Sequence, residues 1–266
     1  MLSLFGPRLP VDEDELEWQF ATFKWLAGEF GDLSRAPLVL PTPQTFPPSA
    51  RQGHGRVEDL FLHVKRAAGM EDWPCDLEAG EGERPVQVGP ALLLRHEGAR
   101  PPCGTFQVTG KDGRQRVVIT YNPGMAADTT AMIATFAHEL GHYLMSTART
   151  APPGGWDLHE LHTDVCAVAM GFGLFLANSA RSFSQYQSAG EMGWSSRSQG
   201  YLAEGALVTA LAIRERLGGR DPLAAARYLK DYLESDLRRA SKALAKRCPD
   251  MAAAVAAVDL AAFGGD

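Results

Sequence analysis

The chain has 266 residues, of which 45% are hydrophobic and 22% are charged, and it contains 27 Gly and 17 Pro. These proportions are those of a soluble globular protein with a sizeable core, and they exclude a collagen-like, coiled-coil or disordered chain. The 32 acidic residues exceed the 26 basic ones, so the net charge is −6 and the basic surplus of a general nucleic-acid binder is excluded.

The patterns of exported and membrane proteins are also missing from the sequence. Its first residues do not combine a basic start with an apolar run, so we predict no signal peptide. The longest apolar stretch, residues 165–177, is too short to span a bilayer. The 4 cysteines are widely spaced without a Cys-x-x-Cys pair, which is typical of reduced thiols. We therefore expect a cytoplasmic protein with no membrane or nucleic-acid partner, and the oligomeric state stays open.

The first part of the chain predicts two helices separated by an extended loop. A helix is predicted over residues 12–30, where large apolar side chains recur near helical spacing and acidic residues come first. The proline-rich residues 37–48 predict an extended loop. A second, shorter helix is predicted over residues 57–68.

A small sheet and a long helical region follow. Residues 86–88, 91–94, 105–108 and 116–121 are short β-type runs, and a turn at 109–113 predicts a hairpin between the last two. Helices are then predicted near residues 129–146, 158–177, 200–217, 222–246 and 251–262. This order indicates an α+β fold in a single domain spanning residues 1–266. Its parts would be the N-terminal helices, loop and sheet (1–128), a helix pair (129–178) and a helical C-terminal part (179–266).

The helix predicted over residues 129–146 contains the pattern His138-Glu139-x-x-His142. Residues i and i+4 lie on one helix face, so both imidazoles can reach one metal ion while Glu139 projects beside it. Both histidines lie on the side of the helix opposite a stripe of apolar residues. Two histidines that only filled the protein core would not be expected on that side, so we interpret the motif as a zinc-binding helix. The stripe that faces away from the histidines consists of Met132, Ile133, Phe136, Leu140 and Leu144.

A catalytic zinc ion needs a third protein ligand, and the next predicted helix offers several. Glu160 and Asp164 are i and i+4, so one can bind zinc while the other orients a ligand imidazole. His159 and His162 flank Glu160, but only one of these three side chains can point at the metal. Thr163 and Asp164 continue the face of Glu160, which favours Glu160. Asp164, His159 and His162 remain as alternatives.

The motif followed by Glu160-x-x-x-Asp164 resembles the gluzincins, the thermolysin-like clan of zinc peptidases. The position of Gly141 within the motif is similar to that of the glycine in ImmA/IrrE-type metallopeptidases. The sequence from Glu160 to Asn178 resembles uncharacterised bacterial zincin-like proteins. The resemblance covers residues 117–178 and implies a zincin-like domain whose small, mainly antiparallel sheet packs on the motif helix. It also implies Glu160 as the third zinc ligand, with Asp164 steadying a ligand histidine. Residues 116–121 would form the edge strand that pairs with an extended peptide substrate.

The expected chemistry is hydrolysis of a peptide bond. Zinc lowers the pKa of bound water to about 7, and Glu139 would act as general base and then protonate the leaving amine. Tyr201 is the candidate for stabilising the oxyanion, with Arg197 second. Gly141 inside a helix costs about 1 kcal/mol relative to Ala, which predicts a close neighbour there. We therefore predict a zinc metallopeptidase acting on a peptide or protein substrate. The alternative is a zinc-binding regulatory or structural scaffold without turnover.

Overall fold

The structure is a computed structural model, and it describes residues 8–80, 104–111, 114–187 and 201–264. Helices dominate these residues and a three-stranded sheet accompanies them, which confirms the predicted α+β class. The strands predicted over residues 86–88 and 91–94 lie outside the described residues, as does Arg197.

The two N-terminal helices lie on either side of the proline-rich loop. Helix α1 (Glu13–Phe30) begins after Asp12, whose side chain accepts a hydrogen bond from the backbone N of Glu15 at 2.8 Å. Residues 37–48 form turns and extended backbone, as predicted. Helix α2 (His54–Ala67) starts three residues earlier than predicted, because its first three residues, His54 to Arg56, include no apolar side chain that periodicity could detect.

The sheet has the strand order β1-β3-β2, with β1 at Asp76–Ala79, β2 at Gly104–Lys111 and β3 at Arg114–Tyr121. Strands β2 and β3 form the predicted hairpin through 8 antiparallel residue pairs, and β1 adds 4 parallel pairs. The sheet is therefore mainly antiparallel. The prediction that residues 116–121 form an edge strand is wrong, because β3 is paired on both sides. Within the described sheet, β2 is an edge strand.

Helix α3 (Thr129–Met145) carries the His-Glu-x-x-His motif and lies at the centre of the described core. The side chain of Asp128 caps it by accepting a hydrogen bond from the backbone N of Ala131 at 3.0 Å. Helices α2 and α4 and strand β2 pack around it. Every residue from 131 to 141 is buried. The side of the helix that carries His138 is therefore covered by neighbouring elements, as is the side that carries the apolar stripe.

The segment after α3 contains the second helix of the site. Helix α4 (His159–Ala167) continues through a π-helical turn (Val168–Phe172) into α5 (Gly173–Gln187). The single helix predicted over 158–177 is interrupted at Gly171, whose φ is 109°. A Cβ at Gly171 would lie 3.0 Å from the backbone O of Pro37, so this kink also depends on a close approach of another segment.

Among the residues that the structure describes, one helical stretch, Trp156–Ala180, is long and apolar enough to cross a membrane by length and composition alone. Within the protein, however, 94% of its most apolar window is buried. That degree of burial is typical of a core helix, so the stretch is consistent with a soluble protein.

The C-terminal part consists of α6 (Glu204–Leu217), a 3₁₀ segment (Pro222–Tyr228), α7 (Asp231–Arg247), α8 (Met251–Ala257) and a last 3₁₀ turn (Leu260–Phe263). The helix predicted over 222–246 is broken at residues 229–230, which are extended. The side chain of Asn178 occupies the break. It donates to the backbone O of Tyr228 at 2.8 Å and accepts from the backbone N of Lys230 at 3.0 Å. A distant side chain thus satisfies backbone groups that a continuous helix would pair internally.

Candidate metal centre

Three donor side chains from two helices meet at one point in the structure. His138 and His142 come from α3, and Glu160 comes from the first turn of α4. The Oε2 atom of Glu160 lies 3.0 Å from Nε2 of His138 and 3.4 Å from Nε2 of His142. One donor atom of each residue lies within 4.8 Å of the other two, so this group could hold a metal ion. Among the candidates for third ligand, the structure brings Glu160 to both histidines.

In both His138 and His142, the ring nitrogen that faces away from Glu160, Nδ1, is hydrogen bonded, and this contact fixes the orientation of the ring. His138 Nδ1 donates to Asp164 Oδ1 at 2.9 Å, and His142 Nδ1 lies 3.1 Å from Thr163 Oγ1. The Thr163 hydroxyl donates its only proton to the backbone O of His159 at 2.7 Å, so its oxygen accepts from His142 Nδ1–H. In the neutral form that binds a metal ion, each ring would therefore carry its proton on Nδ1 and present the lone pair of Nε2 to the centre.

The charges at the centre favour a positive group between the histidines and the carboxylate. Burial lowers the pKa of His138, but hydrogen bonds to Asp164 and Glu160 outweigh burial and raise that pKa well above its ordinary value. Burial raises the pKa of Glu160, but the adjacent His142 and His138 outweigh it, so the pKa falls well below the usual range. The donor set is thus arranged to accept positive charge at the point where a metal ion would bind.

Asp164 orients the first histidine and also contacts the C-terminal part of the protein. Its carboxylate is 3% exposed, and one oxygen accepts the hydrogen bond from His138. The other oxygen accepts a hydrogen bond from the backbone N of Leu202 at 2.7 Å. Because both oxygens are engaged in this way, the geometry places Asp164 behind the imidazole and not at the metal position.

His162 points away from the centre, so the geometry does not support it as a ligand. Its Nε2 donates to the backbone O of Pro153 at 2.9 Å, and its Nδ1 lies 3.2 Å from Thr22 Oγ1. The ring is fully buried and lies 4.8 Å from the ring of Trp18. Burial lowers the pKa of His162 to about 3, so the ring is neutral at physiological pH. His162 is a core residue that joins α4 to α1.

His159 lies at the rim of the centre. Its Nδ1 donates to the backbone O of Trp156 at 3.0 Å, which leaves Nε2 facing Glu160 Oε1 at 3.1 Å. The ring lies 5.7 Å from the ring of His142. Burial lowers the pKa of His159, but Glu160 outweighs burial and the net shift is upward. His159 therefore contacts the carboxylate oxygen that is turned away from the other two histidines.

Glu139 and Tyr201 lie beside the donor set. Glu139 is only 3% exposed, and burial raises the pKa of its carboxyl above the usual value despite the nearby histidines. The first residue of β2, Gly104, lies against this carboxyl group, because a Cβ built on Gly104 would be 3.1 Å from Glu139 Oε1. Tyr201 contacts His138 from another side, with ring centroids 4.8 Å apart in an edge-to-face arrangement.

Three partly exposed aromatic rings extend outward from the centre. The ring of Phe106 on β2 is nearly parallel to that of His142, with 6.5 Å between centroids. Tyr143 lies 5.5 Å from Phe106 and 4.8 Å from Trp73. We call Phe106, Tyr143 and Trp73 the aromatic wall. Its contacts join three separate parts of the chain, which is why the sequence pattern alone does not predict it.

Thr163 is the residue at the centre whose role the sequence analysis does not assign. Its position one residue before Asp164, on the face that Glu160 begins, is the available signal. The close neighbour predicted for Gly141 is this same threonine: a Cβ at Gly141 would lie 3.0 Å from Thr163 Cγ2 and 3.2 Å from its backbone O. That prediction is confirmed, and the contact holds α3 and α4 close enough for Glu160 to reach both imidazoles.

Comparison of the chain with protein-family models, curated proteins and solved structures found no match.

Proposed function

We propose that the protein is a zinc-dependent metallopeptidase with a zincin-like, gluzincin-type site. The observation that carries the proposal is the convergence of two imidazole Nε2 atoms on Glu160 Oε2, at 3.0 and 3.4 Å. Glu139 lies between the two histidines on the same helix, as a general base for such a site must. The aromatic wall and Tyr201 border the same point.

The donor set fits zinc. Two imidazole nitrogens and one carboxylate oxygen form a common ligand set of catalytic zinc, and bonds of about 2.0–2.1 Å in a tetrahedron place neighbouring donors roughly 3.3 Å apart. The two distances to Glu160 Oε2 match that spacing. Three protein ligands leave one position open. Zinc bound by these residues would lower the pKa of a water molecule to about 7 and polarise a substrate carbonyl.

The surrounding side chains would perform the proton transfers. Glu139 would accept the proton of the attacking water as the water oxygen bonds to the peptide carbon, and would deliver that proton to the leaving amine nitrogen. The raised pKa of Glu139 suits a group that must both accept and donate a proton. Tyr201, beside His138, would donate a hydrogen bond from its hydroxyl to the developing oxyanion. Asp164 and Thr163 would hold the imidazoles in place.

The substrate would be an extended peptide or a protein segment. Strand β2 begins at Gly104, beside Glu139, and carries Phe106 next to His142, so a peptide running along β2 would pass the centre. This replaces β3 as the strand proposed to pair with substrate. A cytoplasmic location remains part of the proposal on the basis of the sequence alone, and the buried helical stretch over 156–180 is consistent with a soluble protein.

A zinc-binding scaffold without turnover is the second candidate, and one observation favours it. His159 Nε2 lies 3.1 Å from Glu160 Oε1, close enough for a change of rotamer to offer a fourth protein ligand. Structural zinc sites close with four protein ligands, whereas catalytic sites keep one position for water. The intact Glu139 favours catalysis.

Metal content and hydrolysis measured on the same preparations would test the proposal. The protein is purified without added metal or metal-affinity resin, zinc per chain is counted by elemental mass spectrometry, and cleavage of a peptide library is followed. We expect near one zinc in the parent, loss of zinc in His142→Ala and Glu160→Ala, and zinc without cleavage in Glu139→Gln. Glu17→Gln, a change at an exposed glutamate of α1, serves as the matched control.

Two results would contradict the proposal. Glu139→Gln protein that cleaves as fast as the parent would exclude Glu139 as the base. Zinc retained in His142→Ala would place the metal elsewhere. A parent that holds zinc through prolonged chelation and cleaves nothing would support the scaffold.

A further inference from the structure

Gly104, the first residue of β2, lies where a side chain would enter the catalytic part of the centre. A Cβ built on Gly104 would lie 2.6 Å from Thr135 Cγ2, 3.0 Å from the backbone O of Thr120 and 3.1 Å from Glu139 Oε1. Gly104 is buried, and its place is fixed by antiparallel pairing with Tyr121. The start of β2 is therefore in direct contact with the side of α3 that carries Glu139.

Glycine is needed at this position for space and not for backbone conformation. The φ angle of Gly104 lies outside the positive region, so a residue with a side chain could adopt the same backbone. Alternate residues of a strand face the same side, and Phe106, two residues on, faces His142. A side chain at position 104 would thus point into the centre, next to the carboxyl group of Glu139.

The neighbours of Gly104 differ in their freedom to move. Thr135 is β-branched, lies in the buried part of α3 and is 1% exposed, so its methyl group is held in place. The Thr120 oxygen is backbone of the central strand, and the hydroxyls of Thr105 and Thr120 are hydrogen bonded across β2 and β3 at 2.6 Å. Of the three groups that a methyl at position 104 would meet, the end of Glu139 is the flexible one.

We propose that Gly104 is a positioning residue for Glu139: its missing side chain leaves the space in which the carboxyl group stands beside the metal ligands. The proposal rests on the proposed function, because it concerns the placement of the general base. A methyl group at position 104 displaces the carboxylate while His138, His142 and Glu160 keep their mutual contacts. At 3.1 Å from the new Cβ, Glu139 Oε1 must move by a few tenths of an ångström. Because a displacement of about 1 Å at a catalytic group lowers turnover by roughly 100-fold, we expect this smaller shift to lower kcat by about 10-fold.

The test uses Gly104→Ala and a matched control, Gly80→Ala. Gly80 borders the same sheet beside β3, and a Cβ there would lie 3.4 Å from the backbone O of Tyr121, an ordinary contact. Acetohydroxamate is the probe, because it chelates zinc and gives a proton to a neighbouring carboxylate. Zinc content, thermal midpoint, hydroxamate affinity by calorimetry, and kcat and KM for a cleaved peptide are measured on zinc-loaded parent, Glu139→Gln and both glycine variants.

We expect Gly104→Ala to keep its zinc, to bind acetohydroxamate roughly 10-fold more weakly, as Glu139→Gln does, and to lose kcat with little change in KM. Gly80→Ala should behave as the parent. The double variant Gly104→Ala/Thr135→Ser removes the methyl group of Thr135 that lies nearest the new Cβ. It should regain the thermal midpoint but not the lost kcat or affinity.

Two outcomes would overturn this inference while leaving the proposed function intact. The first is that Gly104→Ala keeps kcat and hydroxamate affinity within about twofold of the parent. Alternatively, the double variant could regain activity together with stability, which would show that only the clash with Thr135 mattered. If Glu139→Gln itself leaves hydroxamate affinity and hydrolysis unchanged, the assignment of the base fails, and the inference fails with it. Comparison of the parent with Glu139→Gln therefore tests the proposed function, and comparison of the two glycine variants tests the inference.

Discussion

Thr163 Oγ1 lies 3.1 Å from His142 Nδ1, on the side of the ring opposite Glu160. Because the Thr163 hydroxyl proton is directed to a backbone oxygen at 2.7 Å, the threonine can only accept from the ring. This one contact selects the tautomer of His142 that presents Nε2 to a metal ion. Asp164 does the same for His138 from the next residue of the same helix.

The threonine contact predicts a loss of metal affinity on substitution. Thr163→Val keeps the shape of the side chain but removes the acceptor, so we expect zinc affinity to fall roughly 10- to 100-fold. Thr163→Ser keeps the hydroxyl and should stay close to the parent. Competition with a chromogenic chelator measures both affinities. Equal affinities in the parent and Thr163→Val would show that the hydrogen bond does not orient His142.

Stability should depend on pH through His162. Its pKa is about 3 in the folded protein, against 6.5 for an unperturbed histidine. Between about pH 3 and pH 6.5 the unfolded chain binds a proton at His162 that the folded protein does not bind. The free energy of unfolding therefore falls as the pH is lowered through 6.5. Above pH 6.5 the ring is neutral in both states, and His162 does not change the free energy of unfolding. The loss amounts to about 2 kcal/mol between pH 6.5 and about 5.

Urea unfolding of the metal-free parent and of His162→Gln over this pH range measures the effect. The variant is less stable throughout, but the difference between the two proteins should shrink as the pH falls. Parallel pH profiles for the two proteins would mean that His162 titrates normally in the folded state.

The aromatic wall should determine substrate choice if the protein is a peptidase. Phe106 is the ring of the wall that lies beside His142, so a substrate side chain next to the scissile bond would contact it. We expect Phe106→Ala to lower kcat/KM about tenfold for a peptide with Phe at that position, and to leave a matched Ala peptide almost unchanged. Phe106→Leu should retain most of the preference. An equal loss for both peptides would indicate a structural role instead.

The kink in the helix after α4 predicts a stability effect that separates backbone strain from crowding. Gly171 has a φ of 109° and a Cβ there would meet the backbone O of Pro37 at 3.0 Å, whereas Gly69 has a φ of 69° and open space around it. Gly69→Ala should therefore cost about 1 kcal/mol of unfolding free energy from strain alone. Gly171→Ala should cost about 3 kcal/mol or more. Chemical denaturation measures both, and similar losses would exclude a contribution from the Pro37 contact.

The sequence predicts the centre well where its information is local. The spacing of His138 and His142 fixes both residues on one face of any helix that contains them, and Glu160 belongs to a helix that begins a short distance later. The placement of His162 depends on Thr22 and Trp18, more than 130 residues away, so no local pattern distinguishes it from a ligand or a solvated residue.

In the fold as well, the features that depend on residues close in sequence could be predicted, and those that depend on distant residues could not. The hairpin of β2 and β3 is local and was predictable, whereas β1 gains its pairing from β3 across a distant stretch of chain and has no β-type composition. The break at residues 229–230 depends on Asn178, which is about 50 residues earlier. Helical periodicity on either side of the break gives no sign of that side chain.

The hydrogen bond from Leu202 N to Asp164 has a consequence for how the metal state could be observed. The carboxylate that steadies His138 also anchors the backbone just before α6, so one buried side chain connects the centre to the C-terminal helices. Amide hydrogen exchange at Leu202 would then act as a remote reporter of the site, slowing when a metal ion locks His138 and Asp164 together. The exchange rate of the Leu202 amide would therefore report how much of the protein has bound metal, and the measurement needs no substrate.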